Sequence, residues 1–384
     1  MHILLTSPTF PPFNSGLGNA VNRQALAFVS HGHNVVVATT GNQRHTRLDP
    51  TQQFTIEEFP LSGAIAYLNP IKGNPQSYID FLKSSQFDHI FFHAWQNWAT
   101  DLALQEIDHI SGQKYLFSHC ISTNIFFKHQ PVRSLIRYLL WRPYWWKLPS
   151  HFKKLDGVIF LSNGGSDSRF DDLKLAKKHQ VPLHVIPNCL SQEANAELTE
   201  PTHDFSKRSQ LISVGSYDWQ KGFDFVLRAY AQSKAKNIIP LKFFGQTNSP
   251  FRESLIKLSQ QLDINQDHVE FCTGVSGNDL IIEYRKSYAF LSGSHTECQP
   301  LVLLDANATG TPFIARSTGC INRMSGGYAI ETIAEMASHI NKIISDNSLW
   351  QKLSSSGRDD ANHTYKPDIT ITKLLEIINP VKSQ

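Results

Sequence analysis

Three features are missing from this sequence of 384 residues, and each absence excludes a class of protein. The five cysteines are odd in number and never spaced C-x-x-C, which argues against a disulfide-stapled scaffold and a zinc site. No run of about 18 apolar residues occurs, so no membrane-spanning helix is expected. The formal net charge of +3 is too small to indicate a nucleic-acid-binding protein.

The start of the chain also lacks the pattern of a signal peptide. Residues 1–6 have no basic flank, and the short apolar run soon meets Pro8. This pattern predicts a first β-strand instead. Together with the scattered cysteines, it predicts a cytoplasmic protein.

The pattern along the chain predicts an α/β protein with two domains, because apolar strands alternate with helical stretches in both halves. Strands are predicted at 3–6, 34–40, 89–93, 114–118, 157–161 and 185–187, and again from residue 211 onward. We expect a domain at 1–190, a polar linker at 191–209 and a second domain at 210–365. A C-terminal helix within 366–384 is expected to pack back on the first domain. Each domain is predicted to be doubly wound, with ligands in a cleft at the carboxyl ends of the strands.

The segment from Glu297 to Asp305 is the most informative one. A predicted strand ends at residue 292, a polar loop carries Glu297, and Pro300 stands where a helix begins. Backbone N–H groups at a helix start suit a phosphate group. Asp305 lies inside the helix among apolar residues, where ribose hydroxyls would be suitable partners for a buried carboxylate. The alternative is an ordinary amphipathic helix whose aspartate faces water.

Two glycine-containing loops follow predicted strands. Residues 211–222 place Gly215, Ser216 and Lys221 before a helix, where the lysine can act as a cation for a diphosphate or can simply be a solvated helix-end residue. In residues 11–18, glycines allow the backbone to approach a ligand closely. Val21 stands where a G-x-G-x-x-G motif needs its last glycine, so a nicotinamide dinucleotide is a poor ligand for this loop.

Two histidines end early strands, His93 and His119, and both are predicted to face the ligand cleft. A histidine in such a place is either a structural hydrogen-bonding group or a catalytic one. Neither has metal-ligand spacing to a carboxylate, and no metal site is predicted.

Residues 126–154 are basic and aromatic. Trp141, Tyr144, Trp145 and Trp146 are interleaved there with Lys128, Arg133, Arg137, Arg142, Lys147, Lys153 and Lys154. Such a surface suits the headgroup region of an anionic membrane. The alternative is a helix that packs its aromatic side chains into the domain and leaves its charges in solvent.

Taken together, these segments resemble the large family of retaining GT-B glycosyltransferases, a family-4-like group that includes bacterial mannosyl- and glucosyltransferases. The similarity covers most of the chain, with the motifs in the expected order. It implies two Rossmann-like domains that face each other across a cleft. It also implies that His119 lies near the transferred sugar, that Lys221 and Gly222 bind the diphosphate, and that Glu297 lies near the donor sugar with Asp305 on the ribose.

The resemblance predicts the site residues of both substrates. His119, Glu297 and Lys221 are predicted to be catalytic, with His93 and Asn14 on the acceptor side. The predicted donor-binding residues are Gly16, Gly18, Gly215, Ser216, Lys221, Gly245, Glu297, Cys298, Gln299, Pro300, Leu301 and Asp305. Three positions depart from the family pattern: Ser216 stands where an arginine is usual, Cys298 replaces a glycine, and Asp305 replaces the commoner glutamate.

The implied reaction moves a hexose from a nucleoside-diphosphate sugar to a hydroxyl of a glycan, a glycolipid or a cell-surface polysaccharide precursor, with retained anomeric configuration. No cofactor or divalent metal is expected, because Lys221 and backbone amides would stabilise the leaving diphosphate. The alternatives are a noncatalytic nucleotide-sugar-binding subunit, a sugar-nucleotide epimerase and a glycosyl phosphorylase of the same fold. The expected place is the cytoplasm, peripherally on the inner face of the plasma membrane.

Overall fold

The computed structural model describes residues 1–13, 15–66, 69–127, 130–200 and 204–379, and the chain divides into two compact units. Unit 1 comprises Met1–Asn188 and Pro367–Gln384, and unit 2 comprises Cys189–Lys366. The division falls at residue 188, close to the predicted boundary at 190.

Unit 1 is built on a twisted sheet whose strands are apolar on both faces, as a sheet covered by helices requires. Ile3, Leu4 and Leu5 of the first strand, for example, are fully buried. The strands are β1 (His2–Thr6), β2 (Asn34–Thr40), β3 (His45–Leu48), β4 (Thr55–Phe59), β5 (His89–His93), β6 (Gln113–Ser118), β7 (Gly157–Phe160) and β8 (Leu183–Val185). The helices are α1 (Gly16–Ser30), α2 (Gln76–Ser84), α3 (Trp98–Glu106), α4 (Pro131–Leu140), α5 (Arg142–Phe152) and α6 (Asp171–Lys178).

The strand order in this sheet is β3-β4-β2-β1-β5-β6-β7-β8. All neighbours are parallel except the edge strand β3, which runs antiparallel to β4. The chain winds one way from β1 to β2 and the other way from β5 onward. The carboxyl ends of β1 and β5 therefore form the point at which ligands bind in sheets of this kind.

Unit 2 has a second sheet, in the order β11-β10-β9-β12-β13-β14, and all its strands are parallel. Its strands are β9 (Gln210–Val214), β10 (Leu241–Gly245), β11 (Val269–Thr273), β12 (Ser287–Ser292), β13 (Phe313–Arg316) and β14 (Gly327–Ile330). Its helices are α7 (Gln192–Glu197), α8 (Phe223–Gln232), α9 (Pro250–Gln261), α10 (Gly277–Arg285), α11 (Leu301–Ala308), α12 (Ile333–Ser345) and α13 (Asn347–Thr364). Here the winding direction changes between β9 and β12.

The last helix, α14 (Pro367–Ile378), belongs to unit 1 although it follows unit 2 in the chain. It packs against α1 and buries Ile371, Leu374 and Ile378. No helix in the described parts of the chain is long and apolar enough to cross a bilayer.

Two Rossmann-like, helix-covered sheets are the architecture that the alternating pattern predicts, and that prediction is confirmed. Local bounds differ in three places. The first helix begins at Gly16, inside the predicted loop 11–18, because the Ser15 hydroxyl caps it by accepting from the Gly18 amide at 2.9 Å. The strand predicted at 185–187 lies at Leu183–Val185.

The third difference is the stretch 191–209, which we expected to be a linker. Its described part folds into unit 2: the Glu197 carboxylate accepts from both Nε and Nη2 of Arg285, and α7 packs against α10 and α11. Arg208 is buried and donates to the carbonyls of Tyr284 and Ser287, each at 3.1 Å. These polar side chains are therefore internal ties of unit 2, which their composition alone does not reveal.

Candidate active site

In unit 2, two loops leave the sheet at the point where the winding direction changes. Residues 215–222 follow β9, and residues 293–299 follow the neighbouring strand β12. Because parallel strands end at the same edge of a sheet, these loops lie side by side. They carry half of the residues that the sequence predicts to bind a donor.

Lys221 and Glu297 form an ion pair between the two loops. The Lys221 Nζ lies 2.8 Å from Glu297 Oε1, and the two side chains are 32% and 15% exposed. The same carboxylate oxygen accepts from the hydroxyl of Ser294 at 2.9 Å, and Ser294 is buried. A carboxylate held by a cation and a hydroxyl has a defined orientation, and both charges remain within reach of solvent.

The two loops touch through their backbones at a pair of glycines. Gly222 has a φ of +60°, and a Cβ atom added there would stand 2.0 Å from the carbonyl oxygen of Gly293. A Cβ atom at Gly293 would stand 2.1 Å from the carbonyl oxygen of Gly222. The His295 amide also donates to the Gln220 carbonyl at 2.7 Å. This contact sets the separation of Lys221 and Glu297.

The loop after β9 also has local contacts at Gly215, at Ser216 and, from the end of β10, at Gly245. The aliphatic part of Lys221 lies over Gly215, where a Cβ atom would be 3.1 Å from Lys221 Cγ. The hydroxyl of Ser216 donates to the Asp218 carboxylate. Asp218 caps the short turn Trp219–Lys221 by accepting from the Gln220 amide at 2.8 Å. Gly245 leaves room for the ring of Tyr217, which a Cβ atom would approach to 2.5 Å.

The loop at 297–301 leads into α11. Pro300 is extended and directly precedes the helix, rather than standing in its first turn, and Gln299 and Leu301 are buried. The Cys298 carbonyl accepts from the Cys320 amide at 2.9 Å. Gly319, at a φ of +58°, passes so close that a Cβ atom would be 2.2 Å from the Glu297 carbonyl. The loop after β13 thus supports the backbone that carries Glu297.

Asp305 is 8% exposed, so its carboxylate does not face water as the alternative prediction required. Its Oδ1 accepts from the backbone amide of Ser191 at 3.2 Å. Ser191 in turn caps α7, since its hydroxyl accepts from the Ala194 amide at 3.1 Å. Asp305 therefore ties α11 to the start of α7 within unit 2, a contact that the sequence did not predict.

In unit 1, His93 and His119 lie together where β5 and β6 end. The His93 Nδ1 and the His119 Nε2 are 3.0 Å apart, and the His93 ring stacks on Phe117 with centroids 5.0 Å apart. Burial lowers the pKa of His119 to about 4. Burial, together with the adjacent His119, lowers the pKa of His93 well below its ordinary value. Both imidazoles are therefore neutral near pH 7.

The backbone around this histidine pair is left-handed at residues other than glycine. The φ angles are +65° at Ala94, +60° at Gln96 and +68° at Cys120. Each such residue costs roughly 1–2 kcal/mol, so the surrounding packing must hold it in place. Strain that clusters at the carboxyl edge of a parallel sheet is typical of a functional site.

The first glycine loop falls partly inside α1. Gly16 is exposed, and a Cβ atom there would meet nothing within 4 Å. Gly18 is buried against the Thr9 carbonyl, 2.7 Å from where its Cβ atom would stand. Of these two, only Gly18 requires a glycine for packing. Asn14, the other acceptor-side prediction, lies outside the described residues.

Sequence reasoning missed two residues that complete this geometry, Ser294 and Gly293. Both stand in the loop after β12, within four residues of Glu297. A run of small residues between a buried strand and a carboxylate is the signal that could have pointed to them, because close backbone approach needs glycine and a half-buried carboxylate needs donors.

The sequence and the structure of this chain are similar to those of known glycosyltransferases and related proteins. Residues 196–360 match the family model described as Glycosyl transferases group 1. Alpha-monoglucosyldiacylglycerol synthase of Streptococcus pneumoniae is 24% identical over 338 residues, which are 84% of this chain and 73% of that protein. Sucrose-phosphate synthase of Thermosynechococcus elongatus superposes with a TM-score of 0.73 at 16% identity, over 99% of this chain and 98% of that one. The Anabaena protein HepE, solved in complex with UDP, superposes with a TM-score of 0.72 at 15% identity, over 99% of this chain and all of that one.

The two Rossmann-like units and the superposed structures identify the fold of this chain as GT-B. The segment that matches the glycosyltransferase group 1 model, residues 196–360, contains both Lys221 and Glu297. The prediction of a GT-B glycosyltransferase is thereby confirmed.

Proposed function

We propose that this glycosyltransferase is a retaining hexosyltransferase that uses a nucleoside-diphosphate sugar and needs no divalent metal. The observation that carries the proposal is the Lys221–Glu297 pair at 2.8 Å, on adjacent loops of the group 1 domain. A cation beside a helix start suits a diphosphate, and a carboxylate beside it suits the sugar ring as positive charge develops there.

In the proposed reaction, departure of the nucleoside diphosphate is the difficult step, because negative charge accumulates on the leaving oxygen. Lys221 would release part of its contact with Glu297 and stabilise that charge, together with the first amides of α11. Glu297 would then orient the sugar and favour its partial positive charge. His119, neutral at pH 7, would hold sugar hydroxyls.

The donor and the acceptor are proposed by analogy. UDP in the complex of the Anabaena protein supports a nucleoside diphosphate as leaving group. The diacylglycerol in the name of the Streptococcus pneumoniae relative supports a glycolipid among the acceptors, beside a glycan or a polysaccharide precursor. With an acceptor of that kind, the proposed location is the cytoplasm at the inner face of the plasma membrane, in contact with anionic lipid through residues 126–154.

A thermal-shift panel of UDP, GDP, ADP and their sugars tests the donor. We expect one nucleotide family to raise the melting temperature of the protein. Lys221→Met should abolish most of that shift, and Lys257→Met should leave it unchanged because Lys257 is an exposed lysine on α9. No shift from any nucleotide would contradict the proposal.

Glu297→Gln tests the chemistry with little change in shape. We expect nucleotide binding to persist and transfer to fall by about 100-fold or more, the usual effect of losing one preorganised electrostatic group. The anomeric configuration of the product, read by proton NMR, should be that of the donor. An inverted product would contradict the retaining mechanism.

The same experiments address the alternatives. The Ser216 hydroxyl donates to Asp218 and supplies no positive charge to this loop, which favours a noncatalytic binding subunit as the second candidate. That candidate predicts nucleotide binding without transfer or donor hydrolysis and no effect of Glu297→Gln. Turnover of the donor without an acceptor would indicate an epimerase. Turnover that requires phosphate would indicate a phosphorylase.

A further inference from the structure

Helix α4 presents its apolar face to solvent. Only Ser134 of this helix is buried, whereas Val132, Leu135, Ile136 and Leu139 are 69%, 49%, 49% and 56% exposed. Residues at this spacing lie on one face of a helix. A helix that served only the fold of unit 1 would turn such a face inward, so an outward apolar stripe indicates an interaction surface.

The neighbouring helix α5 adds little apolar surface, because most of its aromatic side chains fold inward. Tyr144 is buried and donates to Asp101 Oδ1 at 2.8 Å, and Trp145 is buried and donates to Thr123 Oγ1 at 3.0 Å. Trp141, between the two helices, is also buried, while Trp146 is 74% exposed. The aromatic cluster of the sequence is therefore mainly core, and α4 with Trp146 forms the exposed apolar surface.

The charged residues of this segment of the sequence have one sign. Between Asp108 and Asp156 the sequence contains no aspartate or glutamate. Arg133 and Lys147 are exposed. Arg137 donates to the Ile125 carbonyl and Arg142 donates to the Asn124 side chain, so these two arginines also hold the segment before α4. A symmetric dimer through this face would bring the basic surface of one copy against the same surface of the other. Anionic lipid headgroups complement it instead.

We propose that α4 is the bilayer-docking element of this protein: it lies in the interface of an anionic membrane, with Val132, Leu135, Ile136 and Leu139 below the headgroups and Arg133 and Lys147 among them. The inference rests on the proposed function in one respect, that the acceptor is lipid-linked. The segment between His119 and Pro131 joins the histidine pair to α4 within unit 1. A lipid acceptor would therefore be met by the unit that carries His119.

Vesicle co-sedimentation of the full chain tests the proposal. It compares neutral vesicles of phosphatidylcholine alone with anionic vesicles of phosphatidylcholine and phosphatidylglycerol. We expect binding to the anionic vesicles, weakened by high salt. The double variant Leu135→Ser, Leu139→Ser should partition at least about tenfold less, because each leucine contributes by leaving water. Arg133→Gln with Lys147→Gln should weaken binding by about fivefold for each charge removed.

Ile238→Ser is the matched control, since Ile238 is 72% exposed in unit 2 and should not affect vesicle binding. The nucleotide-induced thermal shift should persist in all these variants. The docking proposal is overturned if the wild type does not sediment with anionic vesicles, or if the α4 variant sediments as strongly as the wild type. Either result leaves the donor-site proposal unaffected. A dimer in gel filtration that the α4 variant dissociates would assign the face to a second copy and overturn it as well.

Discussion

At the scale of single residues, Asp172 illustrates how unit 1 holds a carboxyl without exposing it. Its side chain is fully buried and accepts from the Trp95 Nε1 at 3.2 Å and from the Ser118 hydroxyl at 2.5 Å. Burial raises its pKa to about 6, and these donors moderate the rise. Ser118 ends β6, directly before His119, so this carboxyl helps to position the histidine pair.

The raised pKa of Asp172 predicts a pH dependence of stability. The folded state binds more protons than the unfolded state between about pH 4 and pH 6, so the free energy of unfolding falls as pH rises through this window. The contribution of this one group is about 3 kcal/mol, at about 1.4 kcal/mol for each pKa unit. Asp172→Asn should remove this group's share of the decline and leave the share of Asp101, whose pKa burial also raises to about 6. Chemical denaturation from pH 4.5 to 8 would measure this change in the free energy of unfolding, with Asp80→Asn, at an exposed position, as the control. Parallel pH curves for the wild type and Asp172→Asn would contradict the prediction.

His93 defines the proton position on His119. Both rings are neutral near pH 7, so one proton lies between His93 Nδ1 and His119 Nε2. His93 Nε2 is buried and without a partner among the described residues. A proton on His93 Nε2 would be a buried unpaired N–H, which is rarer than a buried unpaired acceptor. We therefore assign the single proton of the His93 ring to Nδ1, which donates it to His119 Nε2. His119 then carries its own proton on Nδ1, the nitrogen that remains for a sugar hydroxyl.

His93→Phe tests this positioning role, since phenylalanine can keep the stack on Phe117 but cannot donate to His119. We expect a loss of about 2- to 10-fold in kcat, the worth of one hydrogen bond. His93→Asn, which retains a donor near Nδ1, should recover part of it. Nitrogen-15 shifts of His119 should show the Nδ1–H form in the wild type and a mixture in His93→Phe. An Nε2–H form in the wild type would refute the assignment.

At the scale of elements, the proposed donor site depends on how closely the loops after β9 and β12 approach each other. Gly222 and Gly293 permit backbone contact, and the loop after β13 supports Glu297 from the other side through Gly319. Lys221 and Glu297 owe their 2.8 Å separation to this packing, not to their own local sequence.

Gly222→Ala tests the loop contact, and Gly274→Ala is its matched control. Both glycines have positive φ, +60° and +71°, but a Cβ atom at Gly274 would meet nothing within 4 Å. Gly274→Ala should cost about 1–2 kcal/mol of stability from backbone strain alone. Gly222→Ala should cost clearly more and should also weaken nucleotide binding, because the loops must separate. Equal losses in denaturant titrations would show that the contact contributes nothing.

At the scale of the whole molecule, the chain leaves unit 1 after Asn188 and returns to it at Pro367. The stability of unit 1 therefore depends on the last helix of the chain, whose buried residues include Leu374. A change in α14 should therefore affect the stability of unit 1 and not the proposed donor site in unit 2.

Leu374→Ala should cost about 2–5 kcal/mol, as truncation of a fully buried leucine does. The exposed neighbour Glu376→Ala should stay within about 0.5 kcal/mol. Hydrogen exchange should rise in α1 and α14 of the leucine variant, and the nucleotide-induced thermal shift should be retained. Faster exchange confined to unit 2 would contradict the assignment of α14 to unit 1.

The pattern of the sequence was enough for the architecture, because apolar strands alternating with amphipathic helices admit few packings other than a doubly wound sheet. It also placed Lys221 and Glu297 in loops at strand ends, since both follow buried strands directly. It could not assign the partners of Asp305 or the packing of residues 191–209. Their polar composition is compatible with solvent as well as with buried contacts.

By itself, then, the sequence determined that this is a two-unit α/β protein with an acidic loop and a lysine loop in its second half. Only the tertiary structure decided that these loops meet at a glycine pair, that Ser294 orients Glu297, and that α4 turns its apolar face outward. The physical reason is range. Periodicity is a property of neighbouring residues, whereas the partner of a polar group and the orientation of a helix face depend on segments far away in the chain.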